Sequence, residues 1–181
     1  MPRRVLLIDD DRMQSMLTKA LFGQFRQEKF ELEWVDSYEK GLDRLLNGEY
    51  AACLLDYQLG EHDGLSLLRK AVAAECHTPI IFLTAETGEN IDMQAMDAGA
   101  MDYLIKGEIN PASLERSLRY ALKLGETLEA LRMLATHDAL TGLLNRREFD
   151  RIIKEEHERA KRFGRSYAII ILDIDHFKLV N

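Results

Sequence analysis

The sequence predicts an α/β fold: a doubly wound, five-stranded parallel sheet covered by helices on both faces, then a helical linker and part of a further module. Three observations predict it. Short apolar runs of strand length recur at 5–8, 32–35, 51–55, 80–83 and 101–105, and segments of helical periodicity separate them. The chain has 181 residues, 46% of them hydrophobic, enough for one full domain core with residues left over. Strands that alternate with helices through short connections imply parallel pairing, right-handed crossovers and a sheet buried on both faces.

The first run ends at Asp9, Asp10 and Asp11, and a helix follows. Its Met13, Met16, Leu17, Ala20 and Leu21 stand at i, i+3, i+4, i+7 and i+8 and are read as one buried stripe. Asp11 directly precedes that helix and is expected to cap it. From Pro111, after Asn110, a helical pattern runs through Leu114, Leu118, Ala121, Leu122, Leu128 and Leu131 to about Ala135. Its second half carries leucines at three- and four-residue steps, which suits a signalling helix or short coiled coil. Gly125 weakens a helix by about 1 kcal/mol relative to alanine and is read as marking where the domain helix gives way to the linker.

The formal net charge of −7 and a pI near 5.3 argue against DNA or anionic membrane as partner, since phosphate backbones need a clustered cationic face. Basic residues do bunch at Arg146, Arg147 and Arg151 and again at Arg159, Lys161, Arg162 and Arg165. Glu155, Glu156 and Glu158 are interleaved with them, so a solvated helix face is expected. Cys53 and Cys76 lack CxxC spacing, and Cys53 lies in an apolar strand pattern, which fits reduced thiols in a cytoplasmic compartment. No apolar run reaches the roughly 18 residues of a membrane span. The N-terminus meets acidic residues too soon for a signal peptide.

The polar residues that interrupt the strand pattern fall at strand ends: Asp9 and Asp10 after the first, Asp56 after the third, Thr84 after the fourth, Lys106 after the fifth. In an open parallel sheet the carboxyl edge is where ligands bind. Three carboxylates gathered there repel one another unless a cation intervenes, and an oxygen-only cluster suits Mg²⁺. Lys106 and the Thr84 hydroxyl would compensate the oxygens of a phosphoryl group. Asp56 emerges alone from the strand AACLLD and is the expected nucleophile, with Asp10 holding the metal directly and Asp9 through water.

With these residues in view, the segments VLLIDDD, LLDYQLGEHDG, PIIFLTA and DYLIKG resemble the response-regulator receiver family, of flavodoxin-like fold. The resemblance implies that Asp9 and Asp10 are the acidic pair, Asp56 the phosphorylation site, Gln58 the donor of a backbone carbonyl to Mg²⁺, Thr84 the switch hydroxyl and Lys106 the family lysine. Tyr103 matches the aromatic that turns inward when the hydroxyl is drawn to phosphate. Gln58 and Glu86 would flank the water that hydrolyses the acyl phosphate. Gly60 stands where many members have proline, and Gly107 replaces the proline that often follows the lysine. Neither glycine is expected to touch a ligand atom, and a cis bond after Lys106 is far costlier without proline.

Farther on, THDALTGLLNRREF and YAIIILDIDHFKLVN resemble the entry of the GGDEF family, the diguanylate cyclases. That resemblance implies a first metal carboxylate at Asp173, with Asp175 nearby, and a guanine-binding residue at Asn181. The strand expected at 169–172 has no sheet partner in its own module. Because the GGDEF turn is not in this sequence, the chain itself is expected to be inactive as a cyclase, and GTP is expected to be used only in a full-length parent. The expected domains are the receiver at 1–122, a helical linker at 123–136 and a GGDEF fragment at 137–181. The expected partners are a sensor histidine kinase or phosphotransfer protein and, on phosphorylation, a second copy of the chain. The competing expectation is an adaptor whose receiver docks partners without being phosphorylated.

Overall fold

The computed structural model describes residues 3–85 and 89–173. Two compact units emerge, Met1–Ala130 and Leu131–Asn181. In the first, the chain runs β1 (Arg3–Ile8), α1 (Arg12–Phe22), β2 (Phe30–Val35), α2 (Tyr38–Asn47), β3 (Ala52–Asp56), β4 (Gln58–Leu59), β5 (His62–Asp63), α3 (Gly64–Ala73), β6 (Ile80–Thr84), α4 (Glu89–Asp97), β7 (Asp102–Ile105) and a 3₁₀ turn, Lys106–Glu108. Helix α5 (Pro111–Thr136) passes from the first unit into the second, where α6 (Arg146–Phe163) follows.

Five strands form one parallel sheet in the order β2-β1-β3-β6-β7, so β3 is central and β1 lies between β2 and β3, each joined through a crossover helix. Strand alternation divides the core. Leu6, Ile8, Cys53, Leu55, Ile80 and Phe82 face a cluster with Tyr38, Leu45, Leu67, Leu68 and Ala95 of α2, α3 and α4. Val5, Leu7, Ala52, Leu54, Ile81 and Leu83 face Leu114, Leu118, Ala121 and Leu122 of α5, with Leu21 and Phe22 of α1 at the margin. The continuously apolar strands are thus buried on both sides, as the doubly wound plan requires. The β4–β5 ribbon, two residues per strand, is too short to leave a periodic signal.

Helix α1 begins where expected, with the Asp11 carboxylate accepting from the Met13 and Gln14 amides at 2.7 and 3.4 Å. Its buried face is not the expected one. Met13, Met16 and Leu17 are 71%, 54% and 58% exposed, and the inward positions are Ser15 and, in part, Thr18, Leu21 and Phe22. The cap fixes the helix start directly behind the acidic edge, and tertiary placement there seats a small Ser15 inward, overriding the apolar periodicity.

Gly125 does not interrupt α5. The helix passes so close to Pro79 that a Cβ at this position would lie 2.7 Å from the proline Cγ. Gly125→Ala is therefore expected to lower stability by about 1 kcal/mol through overpacking, despite alanine's better helix propensity. Urea denaturation of the two proteins checks the sign, because a freely exposed helical glycine would give the opposite one.

In the second unit the residues of the THDALTGLLNRREF segment build a local joint. Asp138 Oδ1 accepts from the Leu140 and Thr141 amides and the Thr141 hydroxyl at 3.2, 2.9 and 2.9 Å. The Asn145 and Arg147 side chains donate to Ala135 O at 2.8 and 2.7 Å, and Asn145 Oδ1 caps α6 through Glu148 N. Along exposed α6, Arg151 pairs with Glu148 and Glu155, and Arg159 with Glu156, giving the solvated, ion-paired face expected of the basic run. The strand expected at 169–172 does not form. Residues 165–173 have no regular structure, and Ile170, Ile171 and Leu172 are exposed, because no second strand among the described residues supplies a ladder.

Candidate functional site

Four strand ends converge on the carboxyl edge of the sheet. Asp9 follows β1 and is buried; Asp56 ends β3 and Thr84 ends β6, both also buried; Lys106 follows β7. Carboxylate oxygens of Asp9, Asp10 and Asp56 lie within 4.8 Å of one another. Lys106 Nζ bridges two of them, 2.9 Å from Asp9 Oδ2 and 2.9 Å from Asp56 Oδ1. Asp9 is further held by the Asp11 amide at 2.9 Å. Thr84 is paired in register with Ile105, one residue before the lysine.

Burial sets the charge balance. Desolvation pushes the Asp56 carboxyl up to about 6, with Asp9 adding to the rise and the Lys106 ammonium opposing it. Burial pulls Lys106 down, but its hydrogen bonds to Asp56 and Asp9 outweigh that and hold it above the usual lysine value. One ammonium therefore faces three carboxylates. Such an edge, with oxygen donors only and excess negative charge, is chemically suited to a hard divalent cation and to a phosphoryl group in contact with it.

Asp10 is exposed, and its Oδ2 accepts from the Gly60 amide at 2.8 Å. Gly60 thus contacts a carboxylate that the sequence reading expects to hold the metal. At φ 63° with a donating N–H, the position is one proline could not fill. Gln58 lies in β4, two residues past Asp56. Tyr103, on β7, is half-buried against the α2/α3/α4 side of the core. The Asp92 carboxylate of α4 lies against its hydroxyl and pushes the phenol pKa up. Neither Asp92 nor the Trp34 indole, which donates to Asp9 O at 2.8 Å, was signalled by any sequence pattern. No cis peptide occurs among the described residues. In the second unit Asp173 is exposed. Glu86, Asp175 and Asn181 lie outside the described residues.

Comparison with known proteins agrees with this geometry. The model of the response regulator receiver domain matches residues 5–119, and that of the diguanylate cyclase GGDEF domain matches residues 135–181. The chain belongs to the response regulator receiver family and carries part of a GGDEF module after the receiver. It is 32% identical over 103 residues to the transcriptional regulatory protein DltR of Streptococcus agalactiae, covering 57% of this chain and 45% of that protein. It thus spans less than half the length of that relative. A CheY-like receiver domain protein from Methanospirillum hungatei superposes with a TM-score of 0.62 at 26% identity, covering 70% of this chain and 98% of the other. The receiver domain of a sensor histidine kinase from Pseudomonas aeruginosa, described with magnesium coordinated in its active-site cleft, gives 0.58 at 26% identity over 68% and 99% of the two chains. Among the described residues no helix is long and apolar enough to cross a membrane.

Proposed function

We propose that the chain is the phosphoacceptor part of a cytoplasmic two-component response regulator, and that in the full-length parent it controls a diguanylate cyclase. The observation that carries this reading is the convergence of Asp9, Asp10 and Asp56 around Lys106 at the carboxyl edge. Docking alone calls for no such expensive burial of like charges. In the proposed reaction a carboxylate oxygen of Asp56 attacks the phosphorus of a phosphohistidine on the partner kinase or phosphotransfer protein. The new O–P bond forms as the N–P bond breaks, and the imidazole leaves with the bonding pair and takes up a proton. Asp10, Asp56 and the Gln58 carbonyl would hold Mg²⁺ directly, with Asp9 reaching it through water. Bound there, Mg²⁺ supplies positive charge for the transferring oxygens. Lys106 and the Thr84 hydroxyl meet the remaining oxygens, and Thr84 and Tyr103 carry the switch.

The receiver is assigned to 1–122, the linker to 123–136 and the GGDEF fragment to 137–181. Output through a cyclase, and not through the transcriptional control named for the relative, is favoured by the match over residues 135–181. In a parent with a complete GGDEF module, Asp173 would be a metal ligand, Asn181 would contact guanine, and two GTP-loaded sites would have to face each other to make cyclic di-GMP. Control by association of two chains follows from that requirement. The linker offers a seam for it, since Leu124, Leu128 and Leu131 are exposed on α5 at heptad spacing.

Acetyl phosphate with Mg²⁺ should add one phosphoryl group per chain by intact mass; a phosphorylation-independent adaptor would take up none. Mg²⁺ alone should raise the melting temperature by relieving carboxylate repulsion, and Asp10→Asn should remove most of that shift. A shift that survives the substitution would put the metal elsewhere. Beryllofluoride with Mg²⁺, mimicking phospho-Asp56, should move the chain toward a dimer in sedimentation velocity. An unchanged monomer would remove the association step.

A further inference from the structure

We infer that Trp34 is a positioning residue for the acidic pair: its indole N–H fixes the Asp9 carbonyl, and with it the peptide plane from which the Asp10 carboxylate projects toward the metal. The inference rests on the Mg²⁺ reading given above. The β1 strand ends at Ile8, and Asp9 is carried past that end by two successive residues of β2. Its amide donates to Val35 O at 3.2 Å, and its carbonyl accepts from Trp34 Nε1 at 2.8 Å. Asp9 is 0% exposed, so no solvent reaches that carbonyl and the donor has to come from the protein. Trp34 itself is 38% exposed on an edge strand, a poor position for an indole whose only task is packing.

The same peptide unit links the two acids. On the Asp9 side everything is fastened: carboxylate to Lys106 and the Asp11 amide, carbonyl to Trp34. On the Asp10 side the carboxylate is exposed, with the Gly60 amide as its hydrogen-bond donor. Rotation of the Asp9–Asp10 peptide would swing Asp10 while leaving Asp9 on its lysine. The indole opposes that rotation. It is an outer partner of a metal-ligating residue, and removing such partners typically weakens metal affinity about tenfold or more.

Two variants separate hydrogen bonding from packing. Trp34→Phe keeps an aromatic ring and loses the donor. Trp34→His keeps a five-membered ring whose Nε2 stands as many bonds from Cβ as the indole nitrogen does. At about pH 8 that imidazole is neutral and can donate one N–H. By calorimetry, Trp34→Phe should bind Mg²⁺ about tenfold more weakly than the parent chain, and Trp34→His should recover most of the loss. Labelling of Asp56 by acetyl phosphate should fall in Trp34→Phe at low Mg²⁺ and return to the parent rate at saturating Mg²⁺. Trp34 is also the single tryptophan, so Mg²⁺ should change the parent chain's emission along the calorimetric binding curve, a measurement that needs no variant.

Unchanged affinity in a folded Trp34→Phe, a Trp34→His no better than the phenylalanine variant, or an emission indifferent to bound Mg²⁺ would each overturn the positioning role. If the parent chain binds no Mg²⁺ by calorimetry, the metal reading itself fails and this inference falls with it.

Discussion

Replacing Asp56 with asparagine is expected to abolish phosphoryl incorporation from acetyl phosphate and, at the same time, to make the metal-free protein more stable at neutral pH. The second effect follows from the first residue's burial. In the folded chain the Asp56 carboxyl titrates near 6, against an ordinary value of 3.8. Its pKa is raised, so the folded state binds this proton more tightly than the unfolded state does. The stabilisation is complete below pH 3.8 and is lost as the pH climbs through the folded value of about 6. Above that, ionised Asp56 costs about 3 kcal/mol relative to its neutral form. Its side chain is 8% exposed, so solvent screening takes away little. Asparagine removes the titration and keeps the shape. In metal-free urea titrations, Asp56→Asn should exceed the parent by about 2–3 kcal/mol at pH 7.5, and the difference should close as the pH falls toward 4. A difference independent of pH would mean that ionised Asp56 is not under strain. Continued labelling of the variant would place the acceptor on another residue.

The features that let the sequence announce this site are the ones that make it costly. An acid, a hydroxyl or a lysine at the end of an otherwise apolar strand stands out against the pattern, so Asp9, Asp56, Thr84 and Lys106 were legible one by one. The parallel plan then brings them to one edge without any further information. Strand limits were legible to within two residues for the same reason. The orientation of α1 was not. Met13, Met16 and Leu17 form a real apolar stripe, but periodicity reports that a helix has an apolar face without saying whether the sheet or an exposed edge takes it. The strand expected at 169–172 shows the same limit from another side, since an apolar run is a strand only where a neighbour completes its ladder.

Contacts between a side chain and distant backbone leave no periodic trace. The Trp34 indole meets the carbonyl of Asp9 across 25 positions, and the Gly60 amide meets Asp10 across 50. Both act on the acids that the sequence did disclose, so the acids were readable and the groups that hydrogen-bond to them were not. Gly60 is instructive because the sequence marks it only as a departure from a common proline. With a left-handed backbone and an N–H that donates to Asp10 it does what proline cannot, which makes the substitution part of the site's geometry.

Lys106→Met is expected to give the largest loss. The methionine side chain replaces most of the lysine stem, so the change removes charge more than volume. What remains is an Asp9 carboxylate with no exposed surface facing Asp56, with no ammonium 2.9 Å from either. Breaking a buried pair by deleting one partner typically costs about 3–5 kcal/mol, because the remaining charge stays desolvated. The chain can escape part of that cost by protonating a carboxylate. Asp56 is already titrating near 6 with the lysine present and would be pushed higher without it. The loss should therefore be greatest above pH 7 and shrink toward pH 5, opposite in sign to the stabilising Asp56→Asn change but following the same titration. Mg²⁺ should restore part of the stability, since a divalent cation among the three carboxylates answers the same repulsion. It should not restore labelling. Removing a preorganised positive donor from a transferring phosphoryl group costs about a hundredfold in rate, and a cation held by the carboxylates would not take the place of the lysine ammonium. Urea titrations at several pH values, with and without Mg²⁺, together with a labelling time course, test each part. A variant as stable as the parent at pH 8 would show that Lys106 is not what makes the buried acids tolerable.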